Sequence, residues 1–233
     1  MRRAVSYSLL AHCFAYPDEQ QVAALQEAAA AAAPFVEGSP VGELIALAVA
    51  ATSEDLEAEF VRLFALSSSP DCPTFETAYY AAETVLQTNR MADIAGFYRA
   101  FGVDSGTAGL RPDEICVELE FMGYLARKEL YAREHLGAPR VGQVVKAERM
   151  FLSDHLGTWG TTFGRRVSAR AGLCAFYREA GFALSSWVVA ECNRTGAKPA
   201  AIVEGPVAGW DAEVPDPADR EEQVFDPDEI PVT

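Results

Sequence analysis

The residues able to do chemistry are few, and most fall in two short segments. Residues 72–80 read Cys-Pro-Thr-Phe-Glu-Thr-Ala-Tyr-Tyr, and residues 111–122 read Arg-Pro-Asp-Glu-Ile-Cys-Val-Glu-Leu-Glu-Phe-Met. Glu76, Asp113 and Glu118 are carboxylates of the kind a hydrolase uses for acid–base work. Cys72 could act as a nucleophile only with a base, and nothing in the chain nominates one. The three histidines are His12, His135 and His155, and no two stand at zinc-ligand spacing. A carboxylate-bridged metal pair needs Glu-x-x-His on two helices, but position 132 is Ala and position 152 is Leu. Asp154 and His155 are neighbours and project about 100° apart on a helix, so they form no dyad by themselves. Each histidine reads as a surface or capping residue. No Gly-rich phosphate loop and no G-x-S-x-G occurs. The chain is therefore not assigned as an enzyme, and no catalytic residue, metal or cofactor is expected.

The same residues suit binding better. Glu76 stands among Phe75, Tyr79 and Tyr80, where a carboxylate is costly to bury unless paired, so it awaits a cationic ligand. The aromatics alone could equally plug the core. Glu114 and Glu118 share a helix face, and like charges at that spacing cost about 0.2–0.5 kcal/mol. Asp113 and Glu114 at the helix start are offset in part by the helix dipole. This is either a solvated helix start or the acidic lip of a groove, and the helix alone does not decide. With Glu76 in a loop and Asp113 and Glu118 on an exposed margin, alanine at any of the three should change stability by about 0.5 kcal/mol or less. A capping role for Asp113 would raise that to about 1 kcal/mol.

The elements that must position these residues are helical. Apolar residues recur at spacings of three and four as far as about residue 193. Helices are predicted over 3–15, 18–33, 40–51, 53–66, 83–101, 112–136, 142–155, 158–168 and 172–192. Pro40 and Pro112 sit where a first helical turn tolerates proline. Thr52 is an N-cap, followed by acidic first-turn residues. In the 112–136 helix, Ile115, Leu119, Met122, Ala126 and Leu130 make one core stripe. No alternating strand pattern and no internal repeat is present. Beyond residue 196 the chain is rich in Pro and acid, the composition of a flexible tail. The expected architecture is one all-α helical-bundle domain over 1–196 with an acidic tail over 197–233.

Charge narrows the partner. The net charge is −15. Residues 200–233 hold ten acidic residues against Arg220 alone, a balance of −9 that leaves −6 for the rest. Nucleic acid is excluded as a partner, and a basic peptide or basic protein surface is favoured. No apolar run reaches the roughly 18 residues of a membrane span. The start, Met1-Arg2-Arg3 and an apolar stretch, is broken by Tyr7, Ser8 and His12 and lacks a cleavage site, so it reads as a first helix. Five scattered cysteines with no C-x-x-C read as reduced core thiols of a cytoplasmic protein, Cys72 being the most exposed.

At these residues the chain resembles the TorD/DmsD/NarJ-type chaperones for molybdenum oxidoreductases, over nearly all of residues 3–190. The family's loop of Pro, aromatic, Glu, Ser or Thr, any residue, Tyr appears as Pro73, Phe75, Glu76, Thr77 and Tyr79, with Thr74 interposed. Its Pro-Asp-His-Ile and Glu-Leu-x-Phe-Met appear as Pro112-Asp113-Glu114-Ile115 and Glu118-Leu119-Glu120-Phe121-Met122. Tyr7, Leu9-Leu10, Phe14, His155-Leu156, Trp159, Phe163 and Phe176-Tyr177 agree as well. Glu114 replaces the family histidine, removing a titrating group and adding negative charge. The Cys-Pro-x-aromatic-Glu-Thr form is closer to chaperones of nitrate-reductase-like enzymes. The resemblance implies a system-specific cytoplasmic chaperone. It would bind the apo catalytic subunit of a molybdenum oxidoreductase, often through a twin-arginine leader, and assist cofactor insertion before export. The implied client or leader site is Phe75, Glu76, Thr77, Tyr79, Asp113, Glu114, Glu118 and Met122. A monomer and a domain-swapped dimer both stay open. The rival readings are a generic helical peptide-binding adaptor or regulator and, weakest, the carboxylate hydrolase.

Overall fold

The computed structural model describes residues 1–65, 72–80, 84–103, 111–200 and 202. Nine α-helices occur among them: α1 Arg2–Cys13, α2 Glu19–Ala32, α3 Leu44–Ala50, α4 Ser53–Phe60, α5 Thr84–Ala100, α6 Ile115–His135, α7 Ala138–Asp154, α8 Leu156–Arg170 and α9 Ala175–Thr195. No strand occurs among the described residues. A single antiparallel bridge joins Phe75 to Glu114. The chain is all-α, as its apolar spacing dictates. Most of the tail, residues 203–233, lies outside the described residues.

Several boundaries follow from local chemistry. Asp18 accepts from the Gln21 N–H (2.7 Å) and starts α2. Thr52 caps α4 through the Asp55 N–H, as expected. After Phe60 the helix continues as a π turn, Val61–Ala65. Pro40 and Pro112 stand in turns ahead of α3 and α6, not within them. The helix expected over 142–155 begins earlier, with Pro139 in the first turn of α7. The α9 helix closes on left-handed Gly196 (φ 70°), the conformation glycine adopts without penalty.

The core holds α1 at its centre, where Tyr7, Leu9 and Leu10 are fully buried against α2, α6 and α9. The tightest crossing is α8 on α9. A Cβ added at Gly164 would lie 2.6 Å from the Gly181 carbonyl oxygen, and one at Gly181 would lie 2.5 Å from that of Gly164. The two backbones therefore touch where neither carries a side chain.

A polar knot pins α1 to three other helices. Arg3 pairs with Glu191 of α9 (2.7 Å), Glu148 of α7 (3.0 Å) and Glu129 of α6. Arg194 closes on Glu148 (2.5 Å), and the Tyr7 hydroxyl donates to Glu191 (3.1 Å). Arg3 is thus a cross-brace of the bundle.

Candidate functional site

The two acidic signatures meet. The Glu76 N–H donates to the Asp113 carbonyl, and the Ile115 N–H donates to the Thr74 carbonyl, each at 2.8 Å. This short antiparallel pairing locks the 72–80 loop onto the N-terminus of α6. A 3₁₀ turn, Glu76–Tyr79, follows at once and buries Glu76, Thr77 and Tyr79.

Asp113 sits at the first level below the surface. It accepts from the Thr77 hydroxyl (2.7 Å), the Thr77 N–H (3.2 Å) and the Arg111 Nε (2.9 Å). Arg111 also lies over the Phe75 ring, with Cζ 4.3 Å from its centroid. Burial alone would raise the Asp113 carboxyl. The hydrogen bonds from Arg111 and Thr77 and the Arg111 charge outweigh it and leave the group below its usual range.

Glu76, equally buried, pairs with Arg90 of α5 and lies 3.2 Å from His155 Nδ1. His155 is the single residue between α7 and α8, and its ring lies against Phe97 and Phe151. Its Nε2 faces the Asp93 carboxylate at 3.4 Å but has no aligned hydrogen bond. Arg90 also donates to the Tyr80 hydroxyl and to the Asp154 carbonyl, both at 2.6 Å. Tyr80 in turn reaches the Thr158 hydroxyl (2.6 Å), which donates to the His155 carbonyl (2.7 Å).

At the bottom lies Glu118, with the Trp159 indole N–H 3.2 and 3.3 Å from its two oxygens. Burial, then the nearby Glu76 charge, hold the Glu118 carboxyl well above its ordinary range, and the indole hydrogen bond offsets only part of this. In its protonated form Glu118 donates toward Glu76. Two carboxyls so close in a dry site cannot both ionise cheaply.

These positions correct several expectations. Glu76, Asp113 and Glu118 are each 0% exposed, not surface carboxylates. Each is tolerated because each is paired. The cation Glu76 was expected to await from outside is supplied within the chain by Arg90. His155 is 1% exposed and part of this network, not a surface residue. Cys72, expected to be exposed, is 1% exposed. Thr77, Tyr79 and Met122 are also buried, Tyr79 tilted against Trp159 with centroids 5.1 Å apart. Of the eight expected site residues, Phe75 and Glu114 alone are only half-buried. The residues that sequence reasoning left unassigned are Arg90, Asp93, Arg111, His155 and Trp159. The rule that a buried carboxylate needs a partner was the available signal, but α5 and α8 lie too far along the chain for spacing to reveal it.

Beside this junction, between the Glu76–Tyr79 turn and the first half of α5, runs a concavity of about 610 Å³. Thr77, Tyr80, Leu86, Gln87, Arg90 and Asp93 line it. Leu86 and Asp93 are exposed, so the wall offers an apolar and an acidic element side by side. The acid–base groups Glu76, His155 and Glu118 bond chiefly to one another and to internal partners. Among the described residues no three His, Cys, Asp or Glu are placed to hold a metal ion, and no helix is long and apolar enough to cross a membrane.

Comparison with known proteins bears on the family and the fold. Residues 13–165 match the family described as Nitrate reductase delta subunit. A crystal structure from Archaeoglobus fulgidus, described as a "putative redox enzyme maturation protein", shares the fold at a TM-score of 0.53 and 19% identity. The match covers 81% of this chain and 94% of that one. No curated protein matches the chain.

Proposed function

Because the chain belongs to the nitrate reductase delta subunit family, whose members are maturation chaperones and not enzymes, we propose that it holds the apo catalytic subunit of a molybdenum oxidoreductase. The client would be kept in the cytoplasm while its cofactor is inserted, before export. A basic, apolar segment of that subunit, such as a twin-arginine leader, is the element that fits. The observation that carries this reading is the concavity at the paired loops, where Leu86 and Tyr80 stand beside exposed Asp93. An apolar segment preceded by positive charge complements such a wall.

The eight residues divide by role in this reading. Phe75 and Glu114, the two that are only half-buried, contact the client outside the concavity. Glu76, Thr77, Tyr79, Asp113, Glu118 and Met122 hold the junction in shape behind it. Glu114, standing where the family has histidine, contributes a carboxyl that burial and the neighbouring Asp113 charge raise, against a Thr74 hydrogen bond.

Titration calorimetry with the leader of a co-encoded reductase, and separately with its apo-subunit, tests this. Binding to at least one is expected, and micromolar affinity corresponds to about −8 kcal/mol. Binding to neither, with the protein folded, refutes the reading.

A further inference from the structure

We propose that the cage around Arg90 is a guanidinium-binding site, filled in the free protein by the chain's own side chain and yielded to an arginine of the client. The cage offers what a planar cation needs on every side. Glu76 provides a carboxylate edge, Tyr80 a π face 3.8 Å from Cζ, and the Tyr80 hydroxyl and Asp154 carbonyl two further acceptors at 2.6 Å. Guanidinium matches this fork-and-face geometry and ammonium does not. Glu76 is also held from behind by His155, whose Nδ1 lies 3.2 Å from its second oxygen.

Three observations mark the resident arginine as exchangeable. Its side chain is 27% exposed and forms part of the wall of the concavity, so a ligand reaches it without opening the core. From residue 85 to residue 93 no side chain of α5 is buried, and the first that is buried is Ile94. No buried apolar side chain holds this part of α5, and withdrawing Arg90 uncovers chiefly the Glu76 carboxylate and the Tyr80 ring. Asp93 lies three residues on, on the same helix, and receives the displaced Arg90 as a surface pair. The buried His155 Nε2 faces Asp93 at 3.4 Å behind the concavity wall.

The client half of this inference rests on the chaperone reading, and the cage half does not. The probes are N-acetylarginine amide and N-acetyllysine amide, with thermal melts of wild type, Arg90→Ala and Arg90→Lys. The arginine probe is expected to raise the melts of both variants toward wild type and to leave wild type unmoved, while the lysine probe raises none. Adding Glu76→Gln to Arg90→Lys should abolish the effect. An arginine probe that acts no better than lysine on either variant overturns the proposal. Arg90→Lys supplies the test if Arg90→Ala does not fold. With a leader peptide that wild type binds, Arg90→Lys should bind it on the order of tenfold more tightly, since a weaker resident leaves the cage open more of the time. Weaker binding would make Arg90 a contact or a brace and overturn the competition. A peptide bound by no form, with the amide probe still active, refutes the chaperone reading and spares the cage.

Discussion

At the scale of single residues, the buried carboxylates respond to pH in opposite senses. The Glu118 carboxyl is raised, so the fold favours its protonated form. Its contribution is full below the ordinary value of 4.5 and is lost as pH rises through the raised value. Glu118→Gln, fixed neutral, should gain stability relative to wild type as pH climbs from 4.5 toward neutrality. Asp113 is lowered, so its contribution is full above the ordinary 3.8 and is lost as pH falls through the lowered value. The deficit of Asp113→Asn should therefore be largest near neutrality and close in acid. Denaturant melts across pH 3–8 on both variants read the two slopes, and slopes of the same sign would contradict these environments. Alanine at Asp113 strips hydrogen bonds from Arg111 and Thr77 and should cost about 1.5–3 kcal/mol, more than a surface carboxylate would.

At the scale of elements, two joints carry testable weight. At the α8 and α9 crossing, Gly164→Ala or Gly181→Ala drives a methyl onto backbone and should cost about 1–3 kcal/mol, read as a lowered melt. Arg3→Ala leaves Glu148 and Glu191 to Arg194 and Glu129 to Arg133, unties α1 from the other three helices, and should cost about 3 kcal/mol. An unchanged melt in either would show that the crossing or the knot is slack. Element identity was legible because it follows from local spacing. All nine helices were expected, and the Thr52 cap sat where its side chain required. What spacing could not supply was depth. Glu118 lies one residue before Leu119 and four before Met122, and the sequence pattern placed it at the margin of that stripe. The fold instead covers it with Trp159, 41 positions away. Glu76 and His155 are 79 apart, and no local rule joins them.

At the scale of the whole molecule, the charge of −15 and the concavity beside α5 predict how association depends on salt. A basic client is steered by this field, so raising salt from low to physiological should slow association more than it hastens dissociation. Stopped-flow rates with a leader peptide measure this, and an on-rate indifferent to salt would mean that shape and apolar contact alone select the client. In the proposed complex, the junction of the 72–80 loop with the start of α6, and the first half of α5 beside it, form the surface that meets the client. Amide hydrogen exchange of the full chain, with and without the apo catalytic subunit, tests it most directly. The account predicts new protection concentrated at residues 72–80, 85–93 and 111–118. Protection confined to other faces, such as α2 and α3, with these segments unchanged, would contradict it.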